Sequence, residues 1–366
     1  MAIIDKPSDY FNTKLYTGNG GTQSITGVEF QPDFTWIKAR NQAYNHFLFD
    51  AVRGVQKRIK TNSTDAESTV TGLTSFDTDG FGLGSNVDMN GSGVNFASWN
   101  WKAGGTASSN TDGSITSSVS ASTTSGFSIV SYTGTSANAT VGHGLGATPA
   151  MMICKSRTSS VNYWYVYHKS LGNAQEIYPN VANAAASSAT WNSTSPTSSV
   201  FSIGSHAGIN ESGSGHITYC FAEKQGFSKF GSYTGNGSTD GTFVYTGFKP
   251  TWVMTKRTDT TSQWTIFDNK RGSINPSTGE LKADESAAET SSDFRWDTIS
   301  NGFKLRSSGA AVNASGGTYI YMCFAENPLV SSAGVPCTAR WFVQTQNVKK
   351  DFYLKDQIQT IVLYTA

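Results

Sequence analysis

Charge is scarce in this chain. Only 14% of its 366 residues are Asp, Glu, Lys or Arg, and 27 basic residues against 26 acidic ones leave a net charge of +1. A near-neutral chain has no electrostatic basis for holding nucleic acid or an anionic membrane surface. Long apolar runs are also missing, with nothing near the roughly 18 consecutive residues of a membrane span. The first residues, Met1-Ala2-Ile3-Ile4-Asp5-Lys6-Pro7, lack the charged-then-apolar layout of a signal peptide. The sequence therefore predicts a product made in the cytoplasm without membrane insertion. Cysteine is sparse: Cys154, Cys220, Cys323 and Cys337 form no CxxC pair, which argues against a zinc site and a disulfide scaffold and predicts buried small hydrophobes.

What the chain has instead is aromatic side chains and glycine: 21 Phe, 15 Tyr and 9 Trp beside 37 Gly, with abundant Ser and Thr. That balance favours strands joined by tight turns. The stretch from Tyr233-Thr234-Gly235-Asn236-Gly237, through Pro250 and Trp252, to Asp268-Asn269-Lys270-Arg271-Gly272 and Asn313-Ala314-Ser315-Gly316, recurs in diverged form. The first copy opens at Tyr16-Thr17-Gly18 and the second at Tyr132-Thr133-Gly134. The predicted organisation is a repeat over 1–104, a Ser/Thr/Gly-rich linker over 105–125, a repeat over 126–225, a repeat over 226–330 and an extension over 331–366. The linker reads as a flexible or extended connector. The extension holds two β-prone pieces, which either add strands to the third repeat or serve oligomerisation or docking. Each repeat, about a hundred residues with alternating strands and regular turn signals, is expected to be a β-sandwich. The predicted fold class is all-β: three tandem β-sandwich repeats, jelly-roll or lectin-like, plus a short C-terminal β extension.

Comparison of the copies sorts their residues. Tyr-Thr-Gly, the lysines Lys38, Lys155 and Lys256, and the asparagine of the late turn recur throughout and read as framework. Asp50, Arg53 and Glu67 of the first copy match Asp268, Arg271 and Glu289 of the third, whereas the second has His168, Leu171 and Ala185. The charges vanish together. A coupled ion-pair network predicts such joint loss, because removing one buried partner strands the others; a ligand site shared by two copies predicts it too. Trp191 and Trp296, set in polar surroundings between strands, are expected at the surface as sugar-stacking candidates. Asp77-Thr78-Asp79-Gly80 has a brief likeness to a calcium loop but reads better as a turn. No nucleophile elbow or metal-ligand helix occurs and the five histidines fall at unlike positions, so the sequence predicts no catalytic residue, metal or cofactor.

The run Asp9-Tyr10-Phe11-Asn12-Thr13-Lys14-Leu15-Tyr16-Thr17-Gly18-Asn19-Gly20, with residues 27–32, Trp36-Ile37-Lys38, Leu48-Phe49-Asp50 and Arg53-Gly54, resembles a repeat domain of tail-fibre-like virion proteins from marine bacteriophages. The resemblance covers about 9–330, strongly in the first and third copies and more loosely in the second. It implies a non-enzymatic structural component made in the host cytoplasm and displayed on the particle exterior, as a tail fibre, spike or other appendage in host-surface attachment. The partners it implies are other virion proteins, further copies of the chain, a trimer among them, and host-surface glycans. A capsid decoration or head fibre and a carbohydrate-binding adhesin are the other readings.

Overall fold

The computed structural model describes residues 4, 6–273, 275–291 and 296–325; the predicted extension, 331–366, lies outside them. The chain is all-β, built among the described residues of antiparallel sheets with three single-turn α-helices and one 3-10 turn at Pro7–Asp9. A large sheet runs in the order Phe11–Thr17, Asn95–Trp101, Phe34–Ala39, Phe47–Asp50, Lys57–Lys60. A second places Phe127–Thr133, Gly215–Phe221, Met151–Ser156 and Tyr165–His168 in the same relation, and a third does so with Ser228–Thr234, Thr318–Ala325, Pro250–Arg257 and Trp264–Asp268. Each is accompanied by a small sheet: Leu73–Asp77, Gly80–Leu83 and Gln23–Thr26; Val200–Ile203 and Ala139–Gly142; Trp296–Ile299, Gly302–Leu305 and Phe243–Tyr245.

Alternation along the strands explains the layering. In Asn95–Trp101, Ala97, Trp99 and Trp101 point to one face and Phe96 to the other. The Phe96 face packs on the small sheet of its own segment, with Ile25, Phe81 and Leu83. The Trp99 face packs into a cluster common to all three segments, in which Phe34 and Trp101 meet Phe127, Ile153, Tyr219 and Phe221 of the second and Trp252, Met254 and Phe324 of the third. Large sheets covered on both sides need apolar residues at every position rather than alternate ones. Phe34–Ala39 is accordingly buried throughout. Aromatic pairs tie the segments at the centre: Trp101 meets Trp252 edge-on at 5.7 Å, Phe34 meets Tyr219 at 4.5 Å and Phe11 stacks on Phe324 at 5.0 Å. Each such pair contributes about 0.5–1.5 kcal/mol beyond burial of its area. At the centre is a cavity of about 20 Å³ walled by side chains such as Phe34, Trp101, Ile153, Tyr219, Met254 and Met322.

The recurring Tyr-Thr-Gly has a local reason. Tyr16, Tyr132 and Tyr233 donate their hydroxyls to the carbonyls of Met89, Ile209 and Val312, at 2.7–2.8 Å, each in a single-turn helix. The glycine two residues on lies against the end of that helix: a Cβ on Gly18, Gly134 or Gly235 would stand 2.2–2.3 Å from the carbonyl oxygen of Gly91, Glu211 or Ala314. No other residue fits that approach. The helix's last residue, Asn90, Asn210 or Asn313, accepts from the backbone just beyond the glycine through Oδ1 and donates Nδ2 to the carbonyl of Gly84, Gly204 or Ser307.

The stretch 105–125 is not a free connector. Ser108–Asn110 and Ser117–Ser122 pair with each other, and the latter pairs with Phe127–Thr133, extending the second sheet. Two aliphatics suffice to anchor it, Ile115 and Val119, both buried among the second segment's core residues. Its serines bond to backbone, as Ser117 does to the Gly142 carbonyl at 2.9 Å.

Candidate functional site

The charged set sits where the segments meet. Phe47–Asp50 ends in Asp50, whose Oδ1 accepts the backbone N–H groups of Val52 and Arg53, at 3.1 and 2.8 Å. Its Oδ2 accepts Arg53 Nε at 2.5 Å and, from the second segment, the Tyr219 hydroxyl at 2.7 Å. Arg53 donates its remaining nitrogens to the carbonyls of Lys57 and Leu48 and to Glu67, at 2.8, 3.1 and 3.2 Å. The third segment repeats this: Asp268 accepts from Lys270 N, Arg271 N, Arg271 Nε and, from the first segment, Trp99 Nε1, while Arg271 reaches Glu289 and the Ile266 carbonyl. Gly54, at φ +91°, supplies the turn after the first set that a side chain would strain. Both arginine side chains are 0% exposed.

Two further arginines close the junctions. Arg157 of the second segment forks onto Glu67, with Nε and Nη2 each at 3.0 Å, and its carbonyl accepts Glu67 N–H at 2.8 Å. Arg40 of the first forks onto Glu289 at 2.9 Å through both nitrogens, and its carbonyl accepts Glu289 N–H at 2.7 Å. Bidentate geometry makes these the stronger kind of ion pair. Burial works against the Glu67 carboxylate, but the bonds from Arg157 and Arg53 hold its pKa below the ordinary value. Burial likewise opposes the Arg53 guanidinium, and Asp50, Tyr219 and Glu67 together more than compensate, so its pKa is raised. The hydrogen bond to Glu289 raises Arg40.

The third junction keeps the backbone and drops the charge. Ala185 N–H donates to the Thr258 carbonyl at 3.0 Å, in the place of Glu67 with Arg157 and Glu289 with Arg40. His168, in the place of Asp50, meets the Tyr321 carbonyl at 3.2 Å through Nε2. Thr258 thus replaces an arginine on one segment where Ala185 replaces a glutamate on the next.

A buried lysine crosses every junction. Lys38 Nζ donates to the carbonyls of Ala39, Gln42 and, in the third segment, Ser286; Lys155 to Ser159, Asn162 and, in the first, Thr64; Lys256 to Ser262 and, in the second, Ala182. Burial pulls these ammonium groups down, to about 7 for Lys38 and about 8 for the other two. Beside them, Trp164 Nε1 donates to the Lys60 carbonyl and Trp264 Nε1 to the Tyr178 carbonyl, again from one segment to the next.

Trp191 and Trp296, expected at the surface, are 1% and 2% exposed. Trp191 meets Tyr167 edge-on at 5.9 Å inside the second segment, and Trp296 lies 4.5 Å from Phe267 and 5.1 Å from Phe303 inside the third. Polar sequence neighbours do not keep a large aromatic out of a core it can fill. Asp79 of the acidic turn accepts the N–H groups of Gly27 and Glu29 at 3.0 and 2.7 Å, one on each oxygen.

Chemically, the charged set is an arrangement of satisfied partners. Solvent reaches it most at Arg157 and Arg40, which line grooves of about 420 and 270 Å³ on the second and first segments. Sequence comparison singled out Asp50, Arg53 and Glu67 but neither Arg157 nor Arg40. Their signal was present: both stand two residues after the recurring lysine, where the third segment has Thr258.

Residues 6–328 match a family model described as a domain of unknown function, DUF7483, and the chain belongs to that family. The match spans all three segments as one unit. No curated protein and no solved structure matches.

Proposed function

We propose that this member of the DUF7483 family is a non-enzymatic structural protein of a bacteriophage virion, made of three tandem β-sandwich repeats of jelly-roll or lectin-like kind. In this reading it stands on the particle exterior as a tail fibre, spike or similar appendage in host-surface attachment, with other virion proteins and further copies of itself as partners. The observation that carries the reading is the use made of ionisable groups. The carboxylates and guanidiniums that could serve chemistry, Asp50, Arg53, Asp268 and Arg271, are buried and paired with each other, and both aspartates also accept from a neighbouring segment, Asp50 from Tyr219 and Asp268 from Trp99. A body whose charges are invested in rigidity suits an exposed mechanical part. The likeness of Asp9 to Gly20 and the related motifs to phage appendage repeats supports the same assignment. Segment 331–366, outside the family match, is the proposed docking or oligomerisation piece.

Gold-labelled antibody against the purified chain, applied to particles of a phage that encodes it, tests the reading. Label at the tail is the expected result, and label on the head would make the protein a capsid decoration or head fibre. Particles that carry no label and no peptides of this chain by mass spectrometry would overturn the assignment.

A further inference from the structure

The strand Phe243–Tyr245 forms the outer edge of the third segment's small sheet, paired on one side only among the described residues. Val244 is buried, whereas Phe243 and Tyr245 are 44% and 64% exposed on the other face. Both rings lie against glycine. Phe243 runs over Gly302, where a Cβ would come within 2.9 Å of its Cε2, and Tyr245 runs along Gly247, whose φ is +85°. A ring backed by glycine is held flat with its other side free, so little rotamer freedom remains to be lost on binding.

The other segments show that the fold does not require these rings. Ile25 and Val141 occupy the place of Val244, each opposite a phenylalanine as Val244 is opposite Phe303; their outward neighbours are Ser24 and Thr26, and Thr140 and Gly142. The buried position is kept and the exposed aromatics are particular to the third segment. Around them stand polar groups of both signs. Lys304, opposite Phe243, holds Asp240 at 2.6 Å, and Arg306 bridges Asp297 and Asp240 at 2.5 and 3.3 Å. The Asp240 side chain is 77% exposed, leaving it room to accept further hydrogen bonds.

We infer that Phe243 and Tyr245 form a binding face for the pyranose rings of a polysaccharide. The C–H face of a sugar packs on the two aromatic rings, and its hydroxyls reach Asp240, Lys304 and Arg306. Two rings are too small a patch for a specific protein partner, which needs about 800 Å² on each side, and the bracket of donors and acceptors matches a hydroxylated ring rather than an apolar surface. The inference deepens the attachment reading above by giving it a site.

Affinity electrophoresis of the full chain in gels containing laminarin, dextran, alginate or bacterial O-polysaccharide tests it. Retardation in at least one gel is expected, with affinity about tenfold weaker in Tyr245→Ala and Phe243→Ser, since one ring contact is worth up to about 1.5 kcal/mol. Val87→Ala, at an exposed apolar residue of the first segment, should leave it unchanged. Unretarded wild-type protein in every gel, or full affinity in both aromatic variants with native circular dichroism, would overturn the site. So would self-association in sedimentation that Tyr245→Ala abolishes, which would make the face a contact between copies. The gels use the chain alone, so failure to bind sugar and absence from particles are separate results.

Discussion

At the residue scale, equivalent positions show which side chains sit comfortably. Asn62 and Asn180 accept the backbone N–H of His46 and Trp164, and Asp284 does the same for Trp264 at 2.9 Å. Burial raises the Asp284 carboxyl to about 6. A carboxyl with a raised folded-state pKa favours the fold while protonated, an advantage lost as pH rises through 6, so the ionised form is a liability at neutral pH. Asp284→Asn should therefore stabilise the protein by about 2 kcal/mol at pH 7.5 and by almost nothing at pH 4, as urea unfolding at the two values would report. The histidines act in the opposite sense. Burial lowers His168 and His216 to about 4 and pulls His46 and His143 down as well. Unfolded chains take up protons near 6.5 that the folded one refuses, so stability should fall as pH drops from 6.5 towards 4. The two groups near 4 together cost several kcal/mol there, at about 1.4 kcal/mol per pKa unit, which outweighs the gain at Asp284. Thermal unfolding followed across that window gives the check.

At the element scale, the junctions decide how far sequence reading reaches. The joint loss of Asp50, Arg53 and Glu67 in the second copy pointed to a coupled network, and these residues do contact one another. Their outer partners could not be paired from sequence, because Arg157 lies 90 residues from Glu67 and Arg40 lies 249 from Glu289. Trp191 and Trp296 misled for a related reason, since their neighbours in the core come from other strands. Stretch 105–125 misled because backbone pairing and two aliphatics order a segment whose composition reads as linker. The recurring Tyr-Thr-Gly and lysines were visible as patterns, and only the close backbone approach and the carbonyl partners supply their cause. A double-mutant cycle on Glu67→Ala and Arg157→Ala should give a coupling of about 2 kcal/mol, and Glu67→Ala alone a loss of about 3 kcal/mol, because it leaves Arg157 without its carboxylate and removes one of the two that hold Arg53. The matching pair at the uncharged junction, Ala185→Gly and Thr258→Ala, should couple by less than about 0.5 kcal/mol. Chemical denaturation of the six variants and wild type measures both.

At the scale of the whole molecule, the three segments share one hydrophobic core. Each has an inner cluster of its own, but Trp99, Trp101, Phe127, Tyr219, Trp252 and Phe324 belong to a core that none of the three can bury alone. The span of the family match over all three agrees with that. Rigidity of this kind is what the proposed role as an exposed virion part demands. Differential scanning calorimetry of the full chain tests the shared core most directly. A single transition with a van't Hoff enthalpy about equal to the calorimetric enthalpy is predicted; two or three resolved transitions, or a ratio of about one third, would mean that the segments fold and melt as independent domains.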